Sequence, residues 1–392
     1  MNDSAPVHPA LDQLQPSRGR NRSVSDYAAN SRRIALDTFA MIRADVPIYL
    51  FIFVYTILGL AFIDWAGAAD RTAYAIYVGT WLTLFGFMMP AIALLLDTGV
   101  MVHRFNRRRG LAARHVFSAQ RLARLFSGMA LLLCMILFQG TFTSVKNALP
   151  VWQGGFPHDR FQADLDKALH FGIDPWHWLY AIAEYDWVRI VVEWNYNMLW
   201  FVICFSALFY VATSPRAESI RTRYILSFML VWIVVGNLLA APFMSAGPAF
   251  YGFVTGDAAR FGEQLSFLAH GAGSANSASN YQRYLWELYS AGQTGFGSGI
   301  SAFPSVHVGL IALNALFLSE YSRRLGYAAF AYLAFIIASS VYLAWHYAID
   351  GYAAVVTVLA IYLVLKKAFV RYASTDERSG PAAEPNRAIT VS

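Results

Sequence analysis

The segment VPIYLFIFVYTILGLAFIDWA, residues 46–66, contains one charged side chain, Asp64, and is otherwise almost wholly apolar. A helix needs about 20 mainly apolar residues to cross the hydrocarbon core of a bilayer, so this segment predicts a membrane-spanning helix. The chain is predicted to be all-α, a polytopic membrane helix bundle of about eight transmembrane helices. The other seven segments of this kind lie at about residues 74–96, 125–143, 195–213, 225–245, 303–320, 327–346 and 350–370.

The composition of the whole chain agrees with this prediction. Of its 392 residues, 57% are hydrophobic and 14% are charged, whereas soluble domains carry roughly a quarter of their residues as Asp, Glu, Lys and Arg. A soluble protein of this length has no core large enough to bury so much apolar surface. These values exclude an ordinary soluble enzyme, a disordered chain and a disulfide-stapled secreted domain. The two cysteines, Cys134 and Cys204, lie in apolar runs and predict buried small side chains.

Basic residues are concentrated between the second and third predicted spans. Loops that stay in the cytoplasm are enriched in Lys and Arg, and no acidic residue lies among the arginines of this loop. Its arginines are Arg104, Arg107, Arg108, Arg109, Arg114, Arg121 and Arg124. An even number of spans then puts both termini in the cytoplasm and the loops 144–193 and 246–302 outside. The expected location is the plasma (inner) membrane, with the active site on the external or periplasmic face. The net charge of +6 is thus explained by topology and predicts no nucleic-acid partner.

Composition also divides the chain into four parts. Residues 1–30 are predicted to be a disordered cytoplasmic tail. Residues 31–45, with apolar positions at helical spacing among arginines, are predicted to form an interfacial helix on anionic lipid. Residues 46–373 form the membrane-embedded catalytic domain, and residues 374–392 a flexible cytoplasmic tail. The loop 144–193 is rich in Trp, Tyr and Phe, which predicts either helices in the outer membrane interface or a packed cap over the bundle.

The segment GSGISAFPSVH, residues 297–307, has the features of a phosphate-binding turn. A Gly- and Ser-rich approach to a helix leaves backbone N–H groups free at the positive end of the helix dipole. Pro304 is expected in the first helical turn, where its missing N–H costs nothing, and His307 one turn into the helix. A lone histidine at the end of a span is more often an ordinary interfacial residue, so this motif alone does not establish a site.

A second candidate motif is WHYAID, residues 345–350. His346 and Asp350 are four residues apart and would share one face of a helix. The carboxylate can then hold one ring nitrogen and leave the other free for chemistry. The same spacing separates His170 and Asp174, but a glycine between them and a proline after them argue against a continuous helix. That second pair is therefore expected to be structural.

The predicted topology brings the two motifs together. His307 begins the sixth span, His346 ends the seventh and Asp350 begins the eighth, so all three face the same side at similar depth. Ionisable residues at membrane depth indicate a functional site. Two histidines and a carboxylate beside an anion-binding turn can transfer a phosphoryl group through a histidine nucleophile.

The turn FPSVH at 303–307 and the segment HYAID at 346–350 resemble the second and third signatures of the type 2 phosphatidic acid phosphatase superfamily. Within that superfamily, the chain most resembles the inositol phosphotransferase branch, which includes inositol phosphorylceramide synthase. The form of the FPSVH turn and the segment AGPAFY at 246–251 support this branch. The specific resemblance is confined to a signature core, residues 245–355.

The resemblance implies roles for the matching residues. His346 would attack phosphorus and form a phosphohistidine, Asp350 would orient it, and His307 would protonate the leaving oxygen and then deprotonate the incoming water or alcohol. Ser305 and the nearby backbone would bind phosphate oxygens. The resemblance implies no metal and no other cofactor. It also implies membrane lipid substrates, either a phospholipid or a lipid phosphate, with ceramide or an inositol-containing lipid among the candidates.

Two departures from the superfamily pattern leave the substrate phosphate without an assigned cation. The Lys and the Arg-Pro pair of the first signature are absent, and Ser339 and Ser340 stand where the third signature has Ser-Arg. Similar losses in the transferase branch favour that branch. Arg283 is the first candidate for phosphate binding, with an ion pair to Glu287 as the competing interpretation. Lys146 is the second candidate.

The leading hypothesis is an integral membrane enzyme that moves a phosphoryl group or a phosphorylated head group between a lipid and an alcohol acceptor. Hydrolysis of a phosphatidic acid-like or prenyl phosphate is the alternative. A non-enzymatic transporter is a distant alternative, because transporters are expected to carry charged residues near mid-membrane depth. The predicted spans carry almost none there.

Overall fold

The structure is a computed structural model that describes residues 24–104 and 108–379. The regular elements in these ranges are helices, without a strand, as the sequence predicts. In chain order they are α1 (Val24–Ala44), α2 (Val46–Trp65), α3 (Ala69–Arg104), α4 (Arg109–Val116), α5 (Ala119–Gln153), α6 (Asp159–Leu169), α7 (Trp176–Ala183), α8 (Asp186–Thr213), α9 (Pro215–Leu239), α10 (Tyr251–Thr255), α11 (Gly262–Ala269), α12 (Ala278–Ser290), α13 (Val306–Tyr321), α14 (Arg323–Tyr342) and α15 (Ala348–Ser379).

Among the described residues, seven helices are long and apolar enough to cross a bilayer: α2, α3, α5, α8, α9, α14 and the first part of α15. The remaining predicted span, 303–320, is the 16-residue apolar helix α13, which is about 24 Å long at 1.5 Å per residue. This helix starts at Val306 because Ser305 has an extended backbone and caps it, accepting from the Val308 N–H at 3.4 Å. Pro304 therefore precedes the helix, and the expectation that it lies in the first turn is wrong.

The two ends of the chain are described only in part. Helix α1 begins at Val24, earlier than the predicted interfacial helix 31–45, and α15 continues to Ser379, past the predicted start of the C-terminal tail at 374. Most of the two predicted tails, residues 1–23 and 380–392, lies outside the described residues. An interfacial position for α1 stays a prediction.

The bundle has two ends of different character. At one end Arg221 and Asp45 form a buried ion pair, with Nη1 2.5 Å from Oδ1. The opposite end, called here the site end, carries the last turns of α5 and α9, the first turns of α13 and α15, and the segment 246–302. Helix α5 packs against α1, α2, α3 and α8, and α13 packs against α14 and α15. These contacts bring the two predicted motifs to the same end.

Helix α6 has its polar face inside and its apolar face outside. Its buried residues include Asp159 and Asp166, whereas Phe161 and Leu165 are exposed. The polar face packs on the site end, as a cap over the bundle would. The apolar outer face has the character that interfacial helices bury in lipid. A position of this face in the membrane interface stays a prediction.

Candidate active site

A cavity of about 510 Å³ lies at the site end, between α3, α5, α8, α9 and the segment before α13. Its wall is mainly apolar, with large side chains that include Trp81, Phe142, Phe201, Phe205 and Trp232. Polar side chains enter the wall at a few positions, among them Tyr77, Gln139, Thr143, Lys146, Asn197, His307 and His346. The cavity thus combines an apolar surface with a small group of basic and hydrogen-bonding residues.

His346 lies in the turn between α14 and α15. The chain reverses through Ala344, whose φ of 59° is in the left-handed region, and the Trp345 and His346 N–H groups donate to the Ser340 carbonyl at 3.0 and 3.3 Å. The prediction that His346 ends a span is therefore wrong, because the helix before it ends at Tyr342. His346 also does not share a helix with Asp350. The hydrogen bonds of the turn still bring the two side chains together.

Asp350 holds one nitrogen of His346. Its Oδ2 lies 3.2 Å from His346 Nδ1 and accepts the Tyr347 N–H at 3.0 Å. The carboxyl group is fully buried and does not line the cavity, whereas His346 does. An Nδ1–H donated to Asp350 leaves Nε2 as the nitrogen with a lone pair.

Burial lowers the pKa of His346 to about 3, and the charge of Lys146 acts in the same direction, while the Ala302 carbonyl partly opposes the shift. The imidazole is therefore neutral at physiological pH. A neutral imidazole is the form that can attack phosphorus.

His307 is held between two aromatic rings. Its ring centroid lies 4.0 Å from that of Trp200 and 4.9 Å from that of Tyr196, with interplanar angles of 30° and 10°. The Trp200 Nε1–H also donates to the His307 carbonyl at 3.0 Å. Both aromatic residues come from α8, at and just after its π-helical turn, residues 195–199. Such turns are frequent at functional sites, and this one directs Tyr196 and Trp200 towards the cavity.

Ser305 links the two motifs through its backbone. Its N–H donates to the Asp350 carbonyl at 3.2 Å, so the start of α13 is tied to the first turn of α15. The hydroxyl is fully buried and interacts with the Val308 N–H and with Tyr196. Ser305 lies behind the cavity wall, and its contact with a phosphate stays a prediction.

The three candidate cations of this end have different surroundings. Lys146, in the last part of α5, lines the cavity and has no hydrogen bond or salt bridge with any described residue. Arg283 is exposed, donates to Asn280 Oδ1 at 2.9 Å and lies 4.0 Å from Glu287, outside the cavity lining. Arg260 forms salt bridges with Asp164 and Asp174, which neutralise its charge.

Two acidic residues of α6 position the site without lining the cavity. Asp159 accepts the Ala246 and Gly247 N–H groups at 2.7 and 2.8 Å and the Tyr347 hydroxyl at 2.8 Å. Asp166 accepts the first two N–H groups of α15 at 3.2 and 3.1 Å, as a carboxylate at a helix N-terminus does. Sequence reasoning missed both residues. The signal available was polar spacing of seven on a helix whose other face is apolar.

His170 and Asp174, which have the same spacing as His346 and Asp350, have different partners in the structure. Helix α6 ends at Leu169, and His170 contacts the Asp166 carbonyl at 2.6 Å and the Tyr352 hydroxyl at 3.0 Å. Asp174 is paired with Arg260 at 2.8 Å. No continuous helix joins His170 and Asp174, in agreement with the expectation from the glycine and proline nearby.

The serines that replace the Ser-Arg pair make local contacts. The hydroxyls of Ser339 and Ser340 donate to carbonyls of their own helix, at Phe335 and Ile337, both at 2.7 Å. Neither serine lines the cavity. Within the described ranges, no group of three or more His, Cys, Asp or Glu is arranged to hold a metal ion.

Comparison with known protein families gives one match. The model of the PAP2 superfamily matches residues 162–364, just over half of the chain. The matched range includes His307, His346 and Asp350, but not Lys146. Neither the curated proteins nor the solved structures give a match.

Proposed function

The chain belongs to the PAP2 superfamily, a family of phosphatase-type enzymes, and from this membership we propose that it is a lipid phosphotransferase with a phosphohistidine intermediate. The observation that carries the proposal is that His307, His346 and Lys146 line one cavity, with Asp350 bonded to His346 from behind. Membership supports the reaction class, and the geometry supports the assignment of roles.

The first step forms the phosphoenzyme. His346 Nε2 attacks phosphorus, the N–P bond forms and the P–O bond to the leaving group breaks. Asp350 accepts the Nδ1–H throughout and stabilises the positive charge that develops on the ring. His307 gives a proton to the leaving oxygen, which departs as a neutral alcohol. The negative charge of the phosphate beside the ring favours the protonated form of His307 that this step requires.

The second step regenerates the enzyme. The hydroxyl of an acceptor attacks phosphorus, the O–P bond forms and the N–P bond to His346 breaks. The acceptor proton passes to His307, which is then ready for another cycle. Trp200 and Tyr196 fix the ring plane of His307 during both transfers.

Lys146 is the cation that the geometry favours for the phosphate. It lines the cavity and has no described hydrogen-bond or salt-bridge partner, so its ammonium group can bind phosphate oxygens without breaking an ion pair. Arg283 would have to leave Asn280 and move into the cavity. Charge-assisted hydrogen bonds to phosphate are among the strongest that a side chain makes.

The acceptor is proposed to be an alcohol, as in the inositol phosphotransferase branch. Ser340 stands where the phosphatases that this chain resembles have a phosphate-binding arginine. Its hydroxyl donates to the Ile337 carbonyl of its own helix. Fewer cations at the phosphate suit a singly charged phosphodiester better than a doubly charged phosphate monoester. Hydrolysis with water as the acceptor is the competing outcome of the assay below.

The active site is proposed to open on the external face of the plasma membrane. Arg104 at the end of α3 and helix α4, with Arg109 and Arg114, lie at the end opposite the site. Loops of this composition stay in the cytoplasm. The lipid substrate would then come from the outer leaflet.

The test is an assay with purified protein in detergent micelles and a phospholipid labelled on phosphorus. We expect an acid-labile, base-stable phosphoenzyme that is absent from His346→Ala, and transfer of label to an added lipid alcohol. Release of the label to water alone, with and without the alcohol, would exclude the transferase. A labelled residue other than histidine would exclude the mechanism.

A further inference from the structure

The cavity wall holds a polar group that phosphoryl transfer does not use. Gln139 lines the cavity and is 5% exposed. It precedes Lys146 by seven residues on α5, so two helical turns put both side chains on one face, with Gln139 about 10 Å deeper in the bundle. A lipid whose phosphate lies at Lys146 and whose chains extend into the bundle would therefore pass Gln139.

The hydrogen-bonding capacity of Gln139 is only partly used. The Tyr77 hydroxyl interacts with it and also bonds Thr143 Oγ1 at 2.7 Å. A glutamine amide has two N–H donors and a carbonyl acceptor. Within the described part of the chain, the Tyr77 hydroxyl is the one polar group recorded as interacting with this amide. At least one N–H therefore remains for a group inside the cavity.

Apart from a few polar residues such as Tyr77 and Thr143, the cavity wall is mainly apolar. Phe142, Phe205 and Trp232 line the same cavity and offer no acceptor in their side chains. A buried N–H that loses water without gaining an acceptor costs free energy. A hydrocarbon chain inserted here would impose that cost, whereas a carbonyl oxygen would remove it.

We propose that Gln139, supported by Tyr77, is a subsite for the carbonyl that links a fatty acyl chain to the backbone of the lipid substrate. This inference rests on the proposed function, because it takes the phosphate of the same lipid to lie at Lys146 and His346. Glycerolipids and sphingolipids carry an ester or amide carbonyl a few bonds from the phosphate. Prenyl phosphates have no hydrogen-bonding group beyond the phosphate. The subsite therefore selects acyl lipids over prenyl phosphates.

The experiment compares lipid phosphates that differ in this carbonyl. The probes are a diacyl phosphatidylinositol, its dialkyl ether analogue and farnesyl phosphate, each in dodecylmaltoside micelles with the lipid alcohol of the preceding assay as acceptor. We expect wild-type kcat/KM to be roughly 10-fold higher for the diacyl lipid than for the ether analogue, the factor typical of one hydrogen bond to a buried donor.

The matched variants are Gln139→Met and Gln153→Met. Methionine keeps the unbranched shape of glutamine and removes the amide, so Gln139→Met should bring the diacyl-to-ether ratio close to one and reduce the preference for the diacyl lipid over farnesyl phosphate. Gln153 lies on the same helix outside the cavity, where its amide donates to the Ala241 carbonyl at 2.5 Å. Gln153→Met should keep the wild-type ratio.

Dissociation constants of the diacyl and ether lipids for His346→Ala, with and without Gln139→Met, separate this inference from the proposed function. They require no turnover, and the same preference for the diacyl lipid should appear in binding and disappear with Gln139→Met. Equal binding of both lipids, or a preference that survives Gln139→Met, would overturn the subsite. Absence of turnover on all the probes, with the binding preference intact, would overturn only the proposed function.

Discussion

In the proposed mechanism the His346 imidazole and the Asp350 carboxylate act as one unit, because Asp350 contacts His346 but does not line the cavity. We expect His346→Ala to lower kcat by about 10⁴-fold or more, as loss of a nucleophile does. Asp350→Asn should cost about 10³- to 10⁴-fold, because an amide does not stabilise the charged ring. Steady-state assays on protein that elutes as wild type in size exclusion would measure both losses.

His170→Ala is the matched control for these substitutions. His170 contacts Asp166 and Tyr352 at 2.6 and 3.0 Å and does not line the cavity. This variant should keep activity within a few-fold of wild type, since the Asp166 carboxylate keeps its bonds to the Ala348 and Ile349 N–H groups when His170 is removed. Equal loss in His170→Ala and His346→Ala would argue against the assignment of the nucleophile.

Lys146 and Arg283 provide a second comparison at the residue scale. Lys146→Met should lower kcat/KM by roughly 10- to 100-fold, the value of a hydrogen bond to a charged group. Arg283→Met should change it by less than about 3-fold, because an exposed ion pair contributes little. Titration of inorganic phosphate as a competitive inhibitor would give the same order. A larger loss of kcat/KM in Arg283→Met than in Lys146→Met would assign phosphate binding to Arg283.

At the scale of elements, α6 controls the site through its buried acidic residues. Burial raises the pKa of Asp159 to about 6, and its N–H and O–H donors partly oppose the shift. The carboxylate is ionised above this pH and protonated below it, where it holds the 246–247 turn and Tyr347 less firmly. Wild-type kcat/KM should therefore fall as the pH drops below about 6. The nucleophile does not cause this step, because the pKa of His346, about 3, keeps it neutral.

Asp159→Asn tests this origin of the acidic limb. We expect activity at neutral pH to be about 10-fold lower, because the amide nitrogen of the variant side chain would face a hydrogen-bond donor that now bonds a carboxylate oxygen. We also expect the pH profile of the variant to show no step near pH 6. Asp164→Asn is the control, since Asp164 is an exposed residue of the same helix. If the step near pH 6 persists in Asp159→Asn, a group other than Asp159 causes it.

The segment 297–305 has two glycines with positive φ, and they differ in what surrounds them. A Cβ on Gly299 (φ 94°) would lie 2.9 Å from Lys146 Cγ and 3.2 Å from the Lys146 carbonyl carbon, whereas a Cβ on Gly297 (φ 73°) would meet nothing within 4 Å. Both alanine variants pay backbone strain of order 1 kcal/mol. Only Gly299→Ala should displace Lys146 and raise KM, by about 10-fold. Equal KM values for the two variants would contradict this.

At the scale of the whole molecule, the orientation of the bundle decides which leaflet supplies the lipid. In a Cys134→Ala, Cys204→Ala background, one cysteine is introduced at Phe171, which is 90% exposed at the site end, or at Arg216, exposed at the opposite end. A membrane-impermeant maleimide added to intact cells should label Phe171→Cys and spare Arg216→Cys until the cells are lysed. The opposite pattern would place the site in the cytoplasm.

The sequence by itself determined the helical class and the approximate spans, and it predicted His307, His346 and Asp350 as the site residues. Apolar length and local motifs are properties of contiguous residues, so a single chain reveals them. It misplaced the helical start at Val306 and the helical state of His346, because a serine cap and a turn hydrogen bond decide those limits.

Only the tertiary structure decided which distant groups share the cavity. Lys146 and Gln139 enter it from α5, and Asp159 and Asp166 of α6 hold the turns around it. Their neighbours are far away in sequence, and neither spacing nor composition encodes which helix faces another. Packing of the helices sets that relation, and so it also sets the surroundings that separate Lys146 from Arg283.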